Sequence, residues 1–92
     1  MKARRGMVAT TGTRCHRRLV GILAAERKKA GIRQIAVSAS MKERPNWMSR
    51  LESGQRRRID VCEFILLSQI IGFDPVAALQ EVLKVAAKKK GA

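Results

Sequence analysis

The side chains that most often do chemistry are few in this sequence and are badly spaced for catalysis. The single histidine, His16, adjoins Cys15, but neighbouring residues of a helix point about 100° apart and do not face each other. Cys15 and Cys62 belong to different predicted helices and lack the CxxC or Cys/His spacing of a zinc site. No glycine-rich phosphate loop is present. We therefore predict no enzyme activity, no metal and no cofactor, and two reduced thiols, one buried and one near the surface.

The charge of the chain favours binding to a polyanion. The 92 residues carry a formal net charge of +13, and all of that excess lies in residues 1–59, because residues 60–92 hold equal numbers of basic and acidic side chains. Two arrangements explain this asymmetry. One is a half that faces nucleic acid joined to a half that packs or dimerises, and the other is a basic tail on an ordinary domain. Aromatic residues make up only 3% of the chain, which argues against stacking on single strands.

The apolar segments are too short for a membrane protein. The longest uncharged apolar stretch, residues 64–73, is far shorter than the ~20 residues that a membrane span needs. No signal peptide is recognisable, because residues 19–25 run directly into four charged residues. We expect a cytoplasmic protein with one helical domain over residues 13–87, a disordered basic arm over residues 1–12 and a basic tail over residues 88–92.

Helical spacing and helix-end signals predict a compact, all-α bundle of five helices. Gly31 ends the first helix, and Pro45 fits the first turn of the third. Asp60 and Glu63 have the spacing of a capping box before the fourth. No segment alternates with period two, so no strand is predicted. The predicted helices span residues 13–29, 32–41, 45–52, 61–71 and 75–87.

The second and third predicted helices are short and are joined by a three-residue turn, which is the geometry of a helix-turn-helix. Residues 19–83 resemble the lambda-repressor/Cro-like (XRE-type) helix-turn-helix family, and the most specific match is the string Ser49-Arg50-Leu51-Glu52-Ser53-Gly54. The resemblance implies a sequence-specific regulator of transcription, a repressor, that places the third helix in the major groove of double-stranded DNA. The other matching residues are Ala30-Gly31-Ile32, Gln34, Val37, Met41, Met48 and Phe73-Asp74-Pro75.

The resemblance also assigns site residues. Asn46 can pair bidentately with adenine and Arg50 with guanine; the alternatives are a solvated asparagine and a surface salt bridge. Glu52 is expected to pair with Arg27 inside the fold, and Trp47 to pack in or beside the core rather than on DNA. The residues expected to read bases are Pro45, Asn46, Ser49 and Arg50. Those expected at the DNA backbone are Arg33, Gln34, Lys42, Arg44, Arg56, Arg57 and Arg58.

Four residues of the motif depart from the family pattern. Arg33 and Arg44 stand where the family commonly has capping residues, Lys42 where it prefers glycine, and Glu43 where it often has an apolar residue. We expect a less rigid motif, since missing caps and a non-glycine left-handed residue each cost stability. Three of the changes add positive charge, which raises affinity for DNA of any sequence.

The predicted partners are double-stranded DNA and a second copy of the chain. A homodimer would meet a roughly palindromic operator with half-sites about one helical turn apart. The candidate dimer residues are Val76, Leu79, Val82 and Leu83, which are alternatively part of the intramolecular core. Two other functions stay open: an antitoxin-like protein that binds a protein partner and regulates its own gene through DNA, and a non-specific basic nucleic-acid binder.

Overall fold

The computed structural model describes residues 14–55 and 58–91, with side chains as far as Val85. Within these residues the chain forms five α-helices and no strand, which confirms the predicted all-α architecture. The predicted basic arm over residues 1–12, and Arg56 and Arg57, lie outside the described residues. The helices are α1 (Arg14–Ala30), α2 (Gln34–Ser40), α3 (Trp47–Ser53), α4 (Val61–Ile71) and α5 (Pro75–Gly91).

The core is mainly aliphatic, includes the aromatic residues Trp47 and Phe64, and is built from all five helices. α1 packs against α3, α4 and α5, while α2 packs against α3 and α4. Trp47 is only 6% exposed, so it lies in the core rather than on the surface. Fully buried apolar side chains come from each of the first four helices: Leu23, Val37, Met48, Leu51 and Leu67. This packing covers one side of the short α3 and leaves the other in solvent.

The ends of α4 follow directly from local sequence. The Asp60 carboxylate accepts a hydrogen bond from the Glu63 amide at 2.7 Å, and the Glu63 side chain accepts one from the Asp60 amide at 3.1 Å, which completes the predicted capping box. Gly72 ends the helix in the left-handed conformation, at φ +92°. The Asp74 carboxylate then accepts from the Val76 amide at 2.9 Å at the start of α5.

The start of α3 differs from the prediction. Pro45 is not the first helical residue, because the helix begins at Trp47. The Arg44 carbonyl accepts from the Trp47 amide at 2.9 Å, and Asn46 has φ −93° and ψ 9°. These values describe a type I turn with proline at its second position, where the fixed φ of proline also fits. The N-cap of α3 is therefore Asn46, and the expectation that Arg44 takes this place is wrong.

The last helix is longer than predicted. α5 continues beyond Ala87 to Gly91, because alanine and lysine are good helix formers and no helix-ending residue intervenes. The expected tail over residues 88–92 is thus helical in backbone through Gly91. None of the described helices is both long and apolar enough to cross a membrane.

The two cysteines are separate thiols. Cys15 is half-buried and Cys62 is exposed, and both are free. The expected thiol near the surface is Cys62. The expected buried thiol is not found, because Cys15, in the first turn of α1, is only half-buried.

Candidate nucleic-acid interface

The short helix α3 has one buried and one exposed face. Trp47, Met48 and Leu51 face the core. Asn46 and Arg50 are exposed and Ser49 is half-buried. Ser49 and Arg50 follow Asn46 by three and four positions, so each lies on the same side of the helix as Asn46. The packing of α3 therefore leaves a short polar surface that consists of three of the four predicted base-reading residues.

Asn46 stands at the N-cap of α3, but its side chain does not cap the helix. A capping side chain requires extended backbone at the N-cap, whereas the ψ of Asn46 is 9°. The turn that begins the helix thus leaves the amide of Asn46 uncommitted to the first turn of α3.

Arg50 and Ser49 differ in how far their side chains are already engaged. Arg50 is exposed and, within the described residues, its guanidinium bonds no other side chain, so the alternative of a surface salt bridge is not found there. The Ser49 hydroxyl donates to the Asn46 carbonyl at 3.0 Å, which occupies its only proton. Pro45 is exposed in the preceding turn and offers only apolar contact.

The cations at the ends and turns of α2 and α3 are exposed. Arg33, at the N-cap of α2, makes no capping hydrogen bond, and it is exposed, as are Lys42, Arg44 and Arg58. Glu43, in the same turn, is also exposed. The described cations of the motif are therefore in solvent, as a phosphate contact requires.

Lys42 occupies the strained position at the end of α2. Its φ is +61°, and it is the non-glycine residue with positive φ in the described chain. The Glu43 amide donates to the Ser38 carbonyl at 3.0 Å, and the Lys42 amide donates to the Ala39 carbonyl at 2.9 Å. This is a Schellman motif, whose left-handed residue is usually glycine because a side chain costs about 1–2 kcal/mol there.

A buried ion pair joins α1 to α3. Arg27 Nε donates to Glu52 Oε2 at 2.6 Å and Arg27 Nη2 to Glu52 Oε1 at 3.0 Å. Each side chain is only 10% exposed. Arg27 Nη1 also donates to the Ile32 carbonyl at 2.9 Å, which fixes the chain that leaves α1. The two side chains that the family resemblance pairs thus form a bidentate contact.

Gln34 belongs to the same network. Its Nε2 donates to Glu52 Oε1 at 2.8 Å, so the side chain expected at the DNA backbone is held against α3 by the carboxylate. A side-chain amide carries two N–H donors, and this bond uses one of them.

The network determines the charge state of its acid. Burial raises the pKa of Glu52, but hydrogen bonds from Arg27 and Gln34 and the charges of Arg27 and Lys28 outweigh it, so the pKa lies below its usual value. The hydrogen bond to Glu52 raises the pKa of Arg27. Glu52 is therefore ionised at neutral pH and balances the buried charge of Arg27.

Ser38 is a residue of the motif that sequence reasoning missed. It is fully buried, its hydroxyl donates to the Gln34 carbonyl at 3.1 Å, and its oxygen accepts from the Met48 amide at 2.9 Å. A serine inside a short helix looks like an ordinary surface residue in the sequence. The only available signal was its position one residue after the apolar Val37, toward the turn.

The four candidate dimer residues separate into two groups. Val76, Leu79 and Leu83 are 61%, 44% and 64% exposed and share one face of α5 by their spacing. Val82 is partly buried and packs against the core with Ala78. The face of α5 that packs on the core thus carries Ala78 and Val82. The stripe of Val76, Leu79 and Leu83 is exposed to solvent.

Comparisons with known proteins identify the fold family. No family model matches the sequence, and a search of the curated proteins finds no match. A solved structure of an XRE-family like protein from Pseudomonas syringae pv. tomato str. DC3000 is similar, with 31% sequence identity and a TM-score of 0.70. The match covers 77% of this chain and 85% of that one. The chain belongs to the XRE family. In this chain, α2 and α3 form the helix-turn-helix of the family.

Proposed function

We propose that this XRE-family chain is a sequence-specific double-stranded DNA-binding regulator of transcription, a repressor, that inserts α3 into the major groove. The observation that carries the proposal is the outward face of α3. Asn46 and Arg50 are exposed on that face, and neither side chain caps the helix or bonds another side chain among the described residues. α3 is hereafter called the recognition helix.

The two side chains have the right chemistry for base edges. An asparagine amide can pair with both N6 and N7 of adenine, and an arginine with both O6 and N7 of guanine. Each such pair discriminates against other bases by about 1–3 kcal/mol. Ser49 contributes less to this proposal, because its proton is bound to the backbone, and Pro45 is suited to a thymine methyl group.

The exposed cations supply affinity that does not depend on sequence. Arg33, Lys42, Arg44 and Arg58 are assigned to phosphates, and Gln34 can use its second N–H in the same way. Arg56 and Arg57 are part of this proposal by their place in the sequence alone. Each phosphate neutralised makes the negative slope of log affinity against log salt concentration steeper by about 0.9.

The test is selection from a pool of random DNA duplexes at about 150 mM salt, a physiological ionic strength. Wild type is compared with Asn46→Ala, Arg50→Ala and the control Arg14→Ala. The control removes an exposed cation from the far end of α1, which is about 20 Å along the helix from Arg27.

The proposal predicts one enriched motif for the wild type and for Arg14→Ala. Each recognition-helix variant should lose preference at one position per half-site and keep it elsewhere. Binding without any enriched motif, with a steep salt slope that is equal in all four proteins, would instead indicate the non-specific nucleic-acid binder.

We also propose that the chain acts as a homodimer through the exposed face of α5. Val76, Leu79 and Leu83 form an apolar stripe there. Residues 60–92 carry no net charge, whereas the remainder carries all of the +13. Two such chains repel each other least when they meet through their uncharged halves. A two-fold dimer then presents two recognition helices to a palindromic site.

Sedimentation at low micromolar concentration tests the dimer. Leu83→Glu should be monomeric, because it places a charge within the proposed contact. The matched control is Val61→Glu, an equally non-conservative change at a residue of α4 that is 71% exposed. A monomeric wild type, or a Leu83→Glu protein that dimerises like Val61→Glu, would contradict this interface.

A further inference from the structure

The recognition helix lacks a side-chain cap of its own. Asn46, at its N-cap, makes no capping hydrogen bond, and the Trp47 amide is used by the turn, where it donates to the Arg44 carbonyl. The first amides of any helix have no partner within the helix and need one from outside. The start of this helix therefore depends on a group from elsewhere in the fold.

That group is the hydroxyl of Ser38 on α2. The Met48 amide, in the first turn of the recognition helix, donates to Ser38 Oγ at 2.9 Å, and this hydrogen bond is buried. The same hydroxyl donates its proton to the Gln34 carbonyl at 3.1 Å. One oxygen thus bridges the backbone of α2 to the backbone of the recognition helix, with the hydroxyl proton bound on the α2 side.

The bridge lies directly behind the base-reading face. Met48 stands midway between Asn46 and Arg50 in the sequence, and Val37 and Met48 are fully buried around the contact. Ser38 is itself fully buried, so it cannot touch DNA in this fold. A hydrogen bond has a narrow range of length and angle, and this one restricts both the rotation of the recognition helix and its slide along α2.

We propose that Ser38 is a positioning residue that determines base discrimination by fixing the recognition helix on α2. This rests on the proposed function, because it assigns to Ser38 the alignment of the side chains that read the bases. Bidentate contacts are lost over small displacements. Removing the bridge therefore weakens the preference for the correct base more than it weakens contacts with phosphates.

The test compares Ser38→Ala with Ala78→Gly. Alanine is the better helix former, so Ser38→Ala should remain folded. Ala78 is 6% exposed on α5, so its replacement by glycine removes buried volume and lowers helix propensity away from the recognition helix. The measured quantity is the ratio of affinities for the selected DNA site and for the site with one base pair changed, at a temperature at which urea titration shows both variants folded.

We expect Ser38→Ala to reduce this ratio by about threefold or more, out of the 5–150-fold that a bidentate contact provides. Ala78→Gly should leave the ratio at the wild-type value. Amide hydrogen exchange in the free protein provides an independent readout, because the Met48 amide should exchange faster in Ser38→Ala and not in Ala78→Gly.

An unchanged ratio in Ser38→Ala would overturn the proposal and leave Ser38 a stabilising residue only. Unchanged exchange at Met48 would also overturn it, because the bridge would then not protect that amide. If the wild type itself shows no preference among DNA sequences, the proposed function fails. If the wild type shows a preference and Ser38→Ala keeps it, only the role of Ser38 fails.

Discussion

Replacing Glu52 with glutamine removes the negative charge from the contact that joins α1 to the recognition helix. The carboxylate accepts from Arg27 at 2.6 and 3.0 Å and from Gln34 at 2.8 Å. A glutamine keeps one acceptor oxygen, but its amide nitrogen then faces a donor: Arg27 Nε if it replaces Oε2, or Arg27 Nη2 and Gln34 Nε2 if it replaces Oε1. The variant thus leaves the Arg27 guanidinium, which is 10% exposed, without a counter-charge.

The expected loss of unfolding free energy in Glu52→Gln is a large part of the total stability. Removing one partner of a buried ion pair costs about 3–5 kcal/mol, and the retained oxygen places this change near the lower end, at about 3 kcal/mol. A domain of 92 residues has a free energy of unfolding of roughly 5–14 kcal/mol. The midpoint of thermal unfolding should fall by about 12–24 °C, at about 4–8 °C per kcal/mol for a domain of this size.

Urea unfolding followed by circular dichroism at pH 7 measures this loss. The matched control is Glu43→Gln, the same substitution at an exposed glutamate of the same motif, which should change stability by no more than about 0.5 kcal/mol. DNA affinity measured where Glu52→Gln is still folded should stay close to wild type, because the pair is structural. A loss below about 1 kcal/mol, or one equal to that of Glu43→Gln, would refute the reasoning.

Three further predictions follow from the same structure. The folded-state pKa of Glu52 lies below its usual value. The stability that the wild type has over Glu52→Gln should therefore be constant near neutral pH and shrink as pH falls below about 4.5 through the folded pKa. Urea titrations from pH 7 to 3 test this, and a stability difference that grows in acid would contradict it. Lys42→Gly should raise the free energy of unfolding by up to about 1 kcal/mol, because it relieves the φ of +61° at the entropic cost of glycine. It should also lower DNA affinity and reduce the salt slope by about 0.9, and a variant that is both more stable and tighter-binding would remove Lys42 from the phosphate contacts. Gly21→Ala should stabilise the chain by about 0.5–1 kcal/mol in thermal denaturation, because Gly21 lies inside α1 and a Cβ there meets nothing within 4 Å beyond its chain neighbours and the backbone of its own helix. A destabilised variant would show that this face of α1 is not open.

Features that depend on neighbouring residues were predictable from the sequence. Asp60 and Glu63 form a capping box by their spacing, which sets the start of α4, and Gly72 sets its end. Lys42 was expected at a left-handed position from the family pattern, and its φ is positive. The Arg27 to Glu52 contact came from the resemblance, because nothing local relates residues 25 positions apart.

Features that depend on tertiary packing were not predictable. Proline has the same φ in the first turn of a helix and at the second position of a type I turn. The sequence therefore fitted a recognition helix that begins at Pro45 as well as one that begins at Trp47 after a turn. The role of Ser38 arises from an amide ten positions away. On α5, the sequence left Val76, Leu79, Val82 and Leu83 open to a dimer contact or to the core. The structure divides them, because Val82 packs against the core and the other three are exposed.

The central claim is that the recognition helix reads base edges in the major groove, and the most direct measurement is the coupling between Arg50 and the N7 atom of a guanine. The guanine is the one at which Arg50→Ala relaxes the selected motif, and replacing it with 7-deazaguanine removes N7 alone. On natural DNA, Arg50→Ala should weaken binding by roughly 5–150-fold, which corresponds to 1–3 kcal/mol. On the 7-deazaguanine duplex the same substitution should weaken binding severalfold less. An equal loss on both duplexes would contradict the account, because Arg50 would then act on phosphates rather than on the base.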